Sequence, residues 1–265
     1  MPRFTTIAVL ILLAGALSAG AEPDAVRPGA TRSAATPTQS PDFLFGRPAV
    51  AVGLRFQWSR PRASSDIFAF VTEALTLSRD DFDAPGLALD VGFPLGPQLA
   101  ILAGVEYGRA RAVSEDRDLV EIVGGERLPI QQESTLAHVN LSGSLELALT
   151  RRGRAIGRYA WIPAPVTPYI GGGGGLLWYQ FKQEGDFVDA LDPEFPIFTA
   201  QLLSDGWTMS SHLFAGVDVR LSRRLLLTTE VRYLWANATM SQDFVDFEPI
   251  DLAGLRIAGG IQLLF

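Results

Sequence analysis

The sequence predicts an all-β protein, a closed antiparallel up-and-down transmembrane barrel of about eight strands. Three observations predict it. Apolar residues alternate with small or polar ones over most of the chain, the period-two mark of a strand with two unlike faces. The face opposite the apolar one is mostly Gly, Ala and Ser with single charges, which suits a crowded narrow interior better than a solvated surface. Long and short connections alternate, as between the outer loops and periplasmic turns of a membrane barrel.

The N-terminus predicts export. Arg3 precedes an uncharged apolar run, Ile7 to Leu17, and Ala19-Gly20-Ala21 reads as a small-x-small cleavage site. The expected organisation is a signal peptide over 1–21, a flexible periplasmic tether over 22–46 rich in Ala, Pro, Thr and Ser, and a barrel over 47–265.

The first strand has Val52, Leu54, Phe56 and Trp58 on one face and Ala51, Gly53, Arg55 and Gln57 on the other. Leu87, Leu89, Val91 and Phe93 then alternate with Gly86, Ala88, Asp90 and Gly92. Leu99 to Tyr107 alternates with Glu106 on the polar side, and His138 to Leu149 does so with His138, Asn140, Ser142, Ser144 and Glu146. Tyr169 to Phe181 is a glycine-rich strand ending in aromatics. Leu213 to Leu221, Leu225 to Trp235 and Leu255 to Phe265 complete the set. Each is long enough to cross a bilayer when tilted. Trp58, Phe93, Tyr107, Trp178, Tyr179, Tyr233 and Trp235 lie near strand ends and predict interfacial aromatic girdles. An even strand count places both termini in the periplasm.

Ser59–Pro85, Arg111–Glu133, Gln183–Gly206 and Ala236–Ile250 are the expected outer loops; Pro94–Pro97 and Ser222–Arg224 are the short turns. Thr150–Thr167 is an unexpectedly long periplasmic connection. The outer loops are acidic, including Asp80, Glu115, Asp118, Asp189, Asp192, Glu194 and Asp243, while the periplasmic turns carry Arg151, Arg152, Arg154, Arg158, Arg223 and Arg224. Ser65 to Leu77 has Ile67, Val71, Ala74 and Leu75 at helical spacing with Asp66 as a candidate N-cap, and it fits an extended strand equally.

The chain resembles the small outer-membrane barrels of the OmpA type over about Pro48 to Phe265. Besides the architecture, Gly260-Ile261-Gln262-Leu263-Leu264-Phe265 carries the resemblance: a terminal aromatic with apolar residues two and four places before it, and a nearby glycine. The run Pro168-Tyr169-Ile170-Gly171 onward is similar to a strand opening in such barrels. The resemblance implies that Gly260, Ile261, Leu263 and Phe265 form an assembly signal read by the outer-membrane assembly machinery. It implies integral residence in the outer membrane of a Gram-negative-type bacterium, with membrane lipid as partner.

The inward face is expected to carry a charge network of Arg55, Asp90, Glu106, His138, Glu146, Asp218, Arg220, Glu230, Arg232 and Arg256. Charges of both signs across a narrow lumen satisfy one another, since an unpaired buried charge is costly. The leading expectation is a non-enzymatic structural or surface-interaction protein with a side-chain-filled lumen. A cation-preferring channel is the second reading, from the acidic loops and ionisable lumen. A lipid A or phospholipid enzyme is the third, from Ser210 and His212 on one face, but it lacks an orienting acid. A soluble periplasmic lipophile-binding barrel is the fourth. The formal net charge of −7 argues against nucleic-acid binding. With no cysteine and no EF-hand spacing, no metal or cofactor is expected, and Gly171 to Gly175 lacks the Lys-Ser/Thr of a phosphate loop.

Overall fold

The computed structural model describes residues 43–188 and 196–265. The expected signal peptide, most of the tether, and Asp189, Asp192 and Glu194 lie outside the described residues. Eight strands form the barrel: β1 (Ala51–Pro61), β2 (Ala84–Pro94), β3 (Leu99–Val123), β4 (Glu126–Ala148), β5 (Val166–Val188), β6 (Ile197–Arg220), β7 (Leu225–Trp235) and β8 (Gly254–Leu264). Each pairs antiparallel with the next, and β8 pairs with β1 from Gly254↔Pro61 to Leu264↔Ala51, closing the ring. Within the closed ring every strand has a partner on both sides, the condition for a sheet in hydrocarbon.

Alternation sets which face meets lipid. Leu54, Phe56, Leu87, Leu89, Ile101, Val105, Leu141, Leu145, Ile170, Leu213, Val231 and Ile257 are exposed on the outer wall. The intervening Arg55, Ala88, Leu102, Glu106, Ser144, Phe214, Glu230 and Arg256 are buried inside. The 11 residues of β7 span about 26 Å along the normal at a tilt of about 40°, close to the apolar band of a membrane barrel. Tyr107, Val139, Trp178 and Trp207 lie in one cross-strand row, with Trp58 and Trp235 exposed toward the same end. Phe93 and Phe265 are exposed toward the other. Tyr179, expected in the girdle, is instead fully buried, because its odd parity on β5 points inward with Leu177 and Phe181.

Inside β5, glycine is a space requirement. A Cβ at Gly171 would strike the Phe214 ring and the Leu145 carbonyl; one at Gly173 would strike the Gly143 carbonyl. These inward positions stay bare so that Phe214 and Ser144 fit across the lumen.

Two expected outer loops are, among their described residues, largely strand. Pairing of β3 with β4 continues to Val123↔Glu126, and that of β5 with β6 to Val188↔Ile197. Strand pairing needs no lipid: backbone bonds continue above the membrane, and Ser114, Ile130, Gln132 and Ser134 keep the buried parity there. The first outer loop holds a helix, α1 (Asp66–Ala74). Ser65, not Asp66, is its N-cap residue. Asp66 accepts hydrogen bonds from the Ile67 amide at 2.8 Å and from the Glu248 amide at 3.0 Å, so it ties this loop to the fourth.

At the other end, the long connection after β4 is a hairpin, Gly153–Ile156 with Ala160–Pro163. Leu44–Phe45 pairs with it as a third strand, so these last residues of the expected tether are held in structure.

Candidate functional site

The barrel interior has three layers. In the middle, ionisable side chains from five strands alternate between arginine and carboxylate. Arg55 on β1 bonds Asp90 on β2 at 2.6 Å and Glu230 on β7 at 2.5 Å. Glu230 also pairs with Arg232 at 2.9 Å, and Arg232 lies 3.7 Å from Glu106 on β3. Glu106 pairs in turn with Arg256 on β8. The Tyr169 hydroxyl donates to Glu230 at 3.3 Å. Three cations and three anions thus form one chain in which every member has an opposite neighbour. That arrangement answers the desolvation cost of placing charge between low-dielectric walls.

Below it, Arg152 folds back from the connection after β4 to pair with Glu146, and lies 3.9 Å from Asp218. Thr228 donates to Asp218 at 2.7 Å. Sequence reasoning grouped Arg152 with the exposed periplasmic arginines, because nothing local says that the connection turns inward. Arg220 has the inward parity but not the expected carboxylate partner: it donates to the Pro163 carbonyl at 3.1 Å, at the rim.

The histidines stand apart from the charge chain. The His138 ring is buried against Gly108, and its Nε2 lacks a hydrogen-bond partner. His212 Nε2 is 2.7 Å from the Ser144 hydroxyl, while Ser210, the partner considered from sequence, donates to Asn140 at 2.8 Å. His212 is 1% exposed and its Nδ1 is unpartnered, so no carboxylate orients the ring. The Phe214 ring packs beside it, with the Arg232 guanidinium 5.0 Å away over the ring.

Apolar clusters lie toward the two ends. At the end away from the chain termini Phe68, Val71, Phe82, Phe181, Met240 and Phe244 belong to one buried core, shared by α1, the inner wall and the fourth loop. Its rings meet edge to face, Phe68 with Phe82 at 4.9 Å and Phe181 with Phe244 at 5.3 Å. At the other end Leu44 and Trp161 of the small sheet pack on Ala51, Leu226 and Leu264. A sequence signal for the first cluster existed: Leu136, Leu177, Phe181 and Leu234 are large and apolar at inward parity near one end of their strands. The second cluster had no such signal, since Leu44 lies in a segment without periodicity.

No family model and no curated protein sequence matches the chain. Among solved structures, it is similar to Neisserial surface protein A, at 12% identity over 83% of this chain and 99% of that one, TM-score 0.45. It is similar to the outer membrane protein OprG from Pseudomonas aeruginosa, at 14% identity over 84% and 99%, TM-score 0.45. It is similar to Ail, the attachment invasion locus protein of Yersinia pestis, solved with the heparin analogue sucrose octasulfate, at 8% identity over 80% and 98%, TM-score 0.38. These share the all-β barrel architecture. The closed ring and its apolar outer belt define this chain as a membrane-embedded β-barrel protein of the small outer-membrane type.

Proposed function

We propose that the protein is a non-conducting, non-enzymatic component of the outer membrane, with a structural or surface-interaction role and both termini in the periplasm. The observation that carries this reading is the lumen: a self-compensating charge chain between two apolar clusters. A cation path would have to pass both apolar clusters, where an ion gives up part of its hydration. The buried Ser144–His212 contact, without a carboxylate on the ring, gives little support to acyl chemistry. The exposed belt on the outer wall speaks against a soluble lipophile carrier.

The interaction surface is the wall that β3 and β4 extend beyond the barrel. Its tip, residues 117–129, is solvent-exposed on both faces, with Ile122 71% and Val123 51% exposed among acidic side chains. The test is conductance of the folded protein in a planar bilayer, with folding shown first by a gel shift between unheated and boiled samples. A folded, inserted and silent barrel agrees with the proposal. Stable cation-selective steps refute it in favour of the channel.

A further inference from the structure

A basic cleft opens where the small sheet meets the barrel rim. It encloses about 470 Å³ and is lined by Arg47, Arg151, Arg154 and Arg158 together with Tyr159 and Pro97. Among the described residues none of these four arginines forms an ion pair; Arg152, also in the cleft wall, is the one committed to Glu146. Unopposed guanidiniums converging on one concavity suit a multivalent oxyanion, which each can grip with two parallel N–H donors.

The place of the cleft narrows the ligand. Pro97 lies in the β2–β3 turn, two residues from the exposed Leu95 and Leu99, and Arg151 lies two residues beyond the exposed Leu149. The Arg152 amide donates to the Pro97 carbonyl at 3.2 Å, joining the two turns into one floor. Two residues of extended chain cover about 7 Å, so the cleft sits at headgroup distance from the lipid-facing belt. Beside it Phe45 is 84% exposed, Tyr159 70% and Ile156 47%. The Arg158 guanidinium lies 5.7 Å from the Tyr159 ring centroid. Exposed aromatic and aliphatic side chains interleaved with arginine are the composition of a membrane-interface surface.

We propose that this cleft binds the phosphate headgroup of an anionic phospholipid in the leaflet at the periplasmic rim. The assignment rests on the membrane-embedded reading above. The headgroup phosphate engages Arg154 and Arg158, Arg47 and Arg151 supply further positive charge, and the acyl chains lie along the wall at Leu95, Leu99 and Leu149.

The test uses protein purified from membranes and reconstituted in phosphatidylcholine vesicles with and without phosphatidylglycerol. Lipid retained after gentle detergent extraction is read by native mass spectrometry. Wild type retains phosphatidylglycerol in preference to phosphatidylcholine. The variant R47Q/R154Q/R158Q lowers that retention at least about tenfold, given the attraction of each basic side chain to an anionic surface, while R117Q/R127Q on the outer arm leaves it unchanged. R158Q alone gives a smaller loss, and keeps the test open should the triple variant fail to fold. Equal retention of the two lipids by an inserted barrel overturns the site alone. So does saturable binding of inorganic phosphate, or co-sedimentation with peptidoglycan sacculi, without lipid preference. A wild-type chain that inserts into neither vesicle overturns the membrane reading, and the site with it.

Discussion

Glu230 is the hub of the lumen, and replacing it is the sharpest test of how the interior is held. It accepts from Arg55, Arg232 and Tyr169. Glu230→Gln keeps the shape and removes the charge. Asp90 then retains Arg55, but Arg232, Glu106 and Arg256 become a triad with one excess positive charge. Breaking a buried pair in this way costs about 3–5 kcal/mol. Removing an end of the chain behaves differently. Glu106→Leu with Arg256→Met leaves Asp90–Arg55–Glu230–Arg232, in which every charge still has a partner. Apolar replacement of a whole buried pair ranges from neutral to a gain of about 1–4 kcal/mol. The assay is urea unfolding of the barrel in vesicles, followed by tryptophan fluorescence and gel mobility. A cost below about 1 kcal/mol for Glu230→Gln, or a double variant that costs as much as the single one, excludes a lumen held by these ion pairs.

Three further outcomes follow from the same geometry. Phe68→Ala removes a fully buried ring from the first apolar cluster; a loss of about 3–5 kcal/mol is expected by urea titration, with no conductance, because the charge chain and the second cluster remain. Gly171→Val places atoms where the Phe214 ring and the Leu145 carbonyl stand, so the heat-shifted folded band should be lost, whereas Gly174→Val, which meets only the Ser210 carbonyl at 3.1 Å, should retain most of it. Ser144→Ala removes the hydroxyl beside His212, at a cost of about 1 kcal/mol; the lipid profile of producing cells should match wild type, and a changed acyl pattern would return the enzyme reading.

Most of the barrel wall was legible residue by residue. Leu54, Phe56 and Trp58 facing out against Arg55 and Gln57 facing in follow from a strict period of two, which cannot slip by one without exchanging the two faces. The same parity named Asp90, Glu106, Glu146, Glu230, Arg232 and Arg256 as inward. Parity gave no partners, because partners depend on which strand heights coincide around the ring. Hence Arg55 meets Glu230, 175 positions away, and His212 meets Ser144 rather than Ser210. In the sequence the far parts of β3 to β6 look like loops because their apolar alternation fades beyond the lipid-facing belt, although their backbone pairing does not.

By itself the sequence determined the class of the protein: alternation, small inward residues and unequal connections leave a lipid-facing barrel as the consistent solution. It also determined that charges of both signs line the interior. Only the tertiary structure decided which segments pack together at the two ends of the barrel. One cluster needs α1, β5 and the fourth loop to meet, and the other needs Leu44 and Trp161 to reach Ala51, Leu226 and Leu264. The physical reason is that parity along a strand is a local property, set by the pleat of the backbone. Packing at a barrel end is a contact between segments far apart in the chain, set by the apolar surface that remains unburied once the ring has formed.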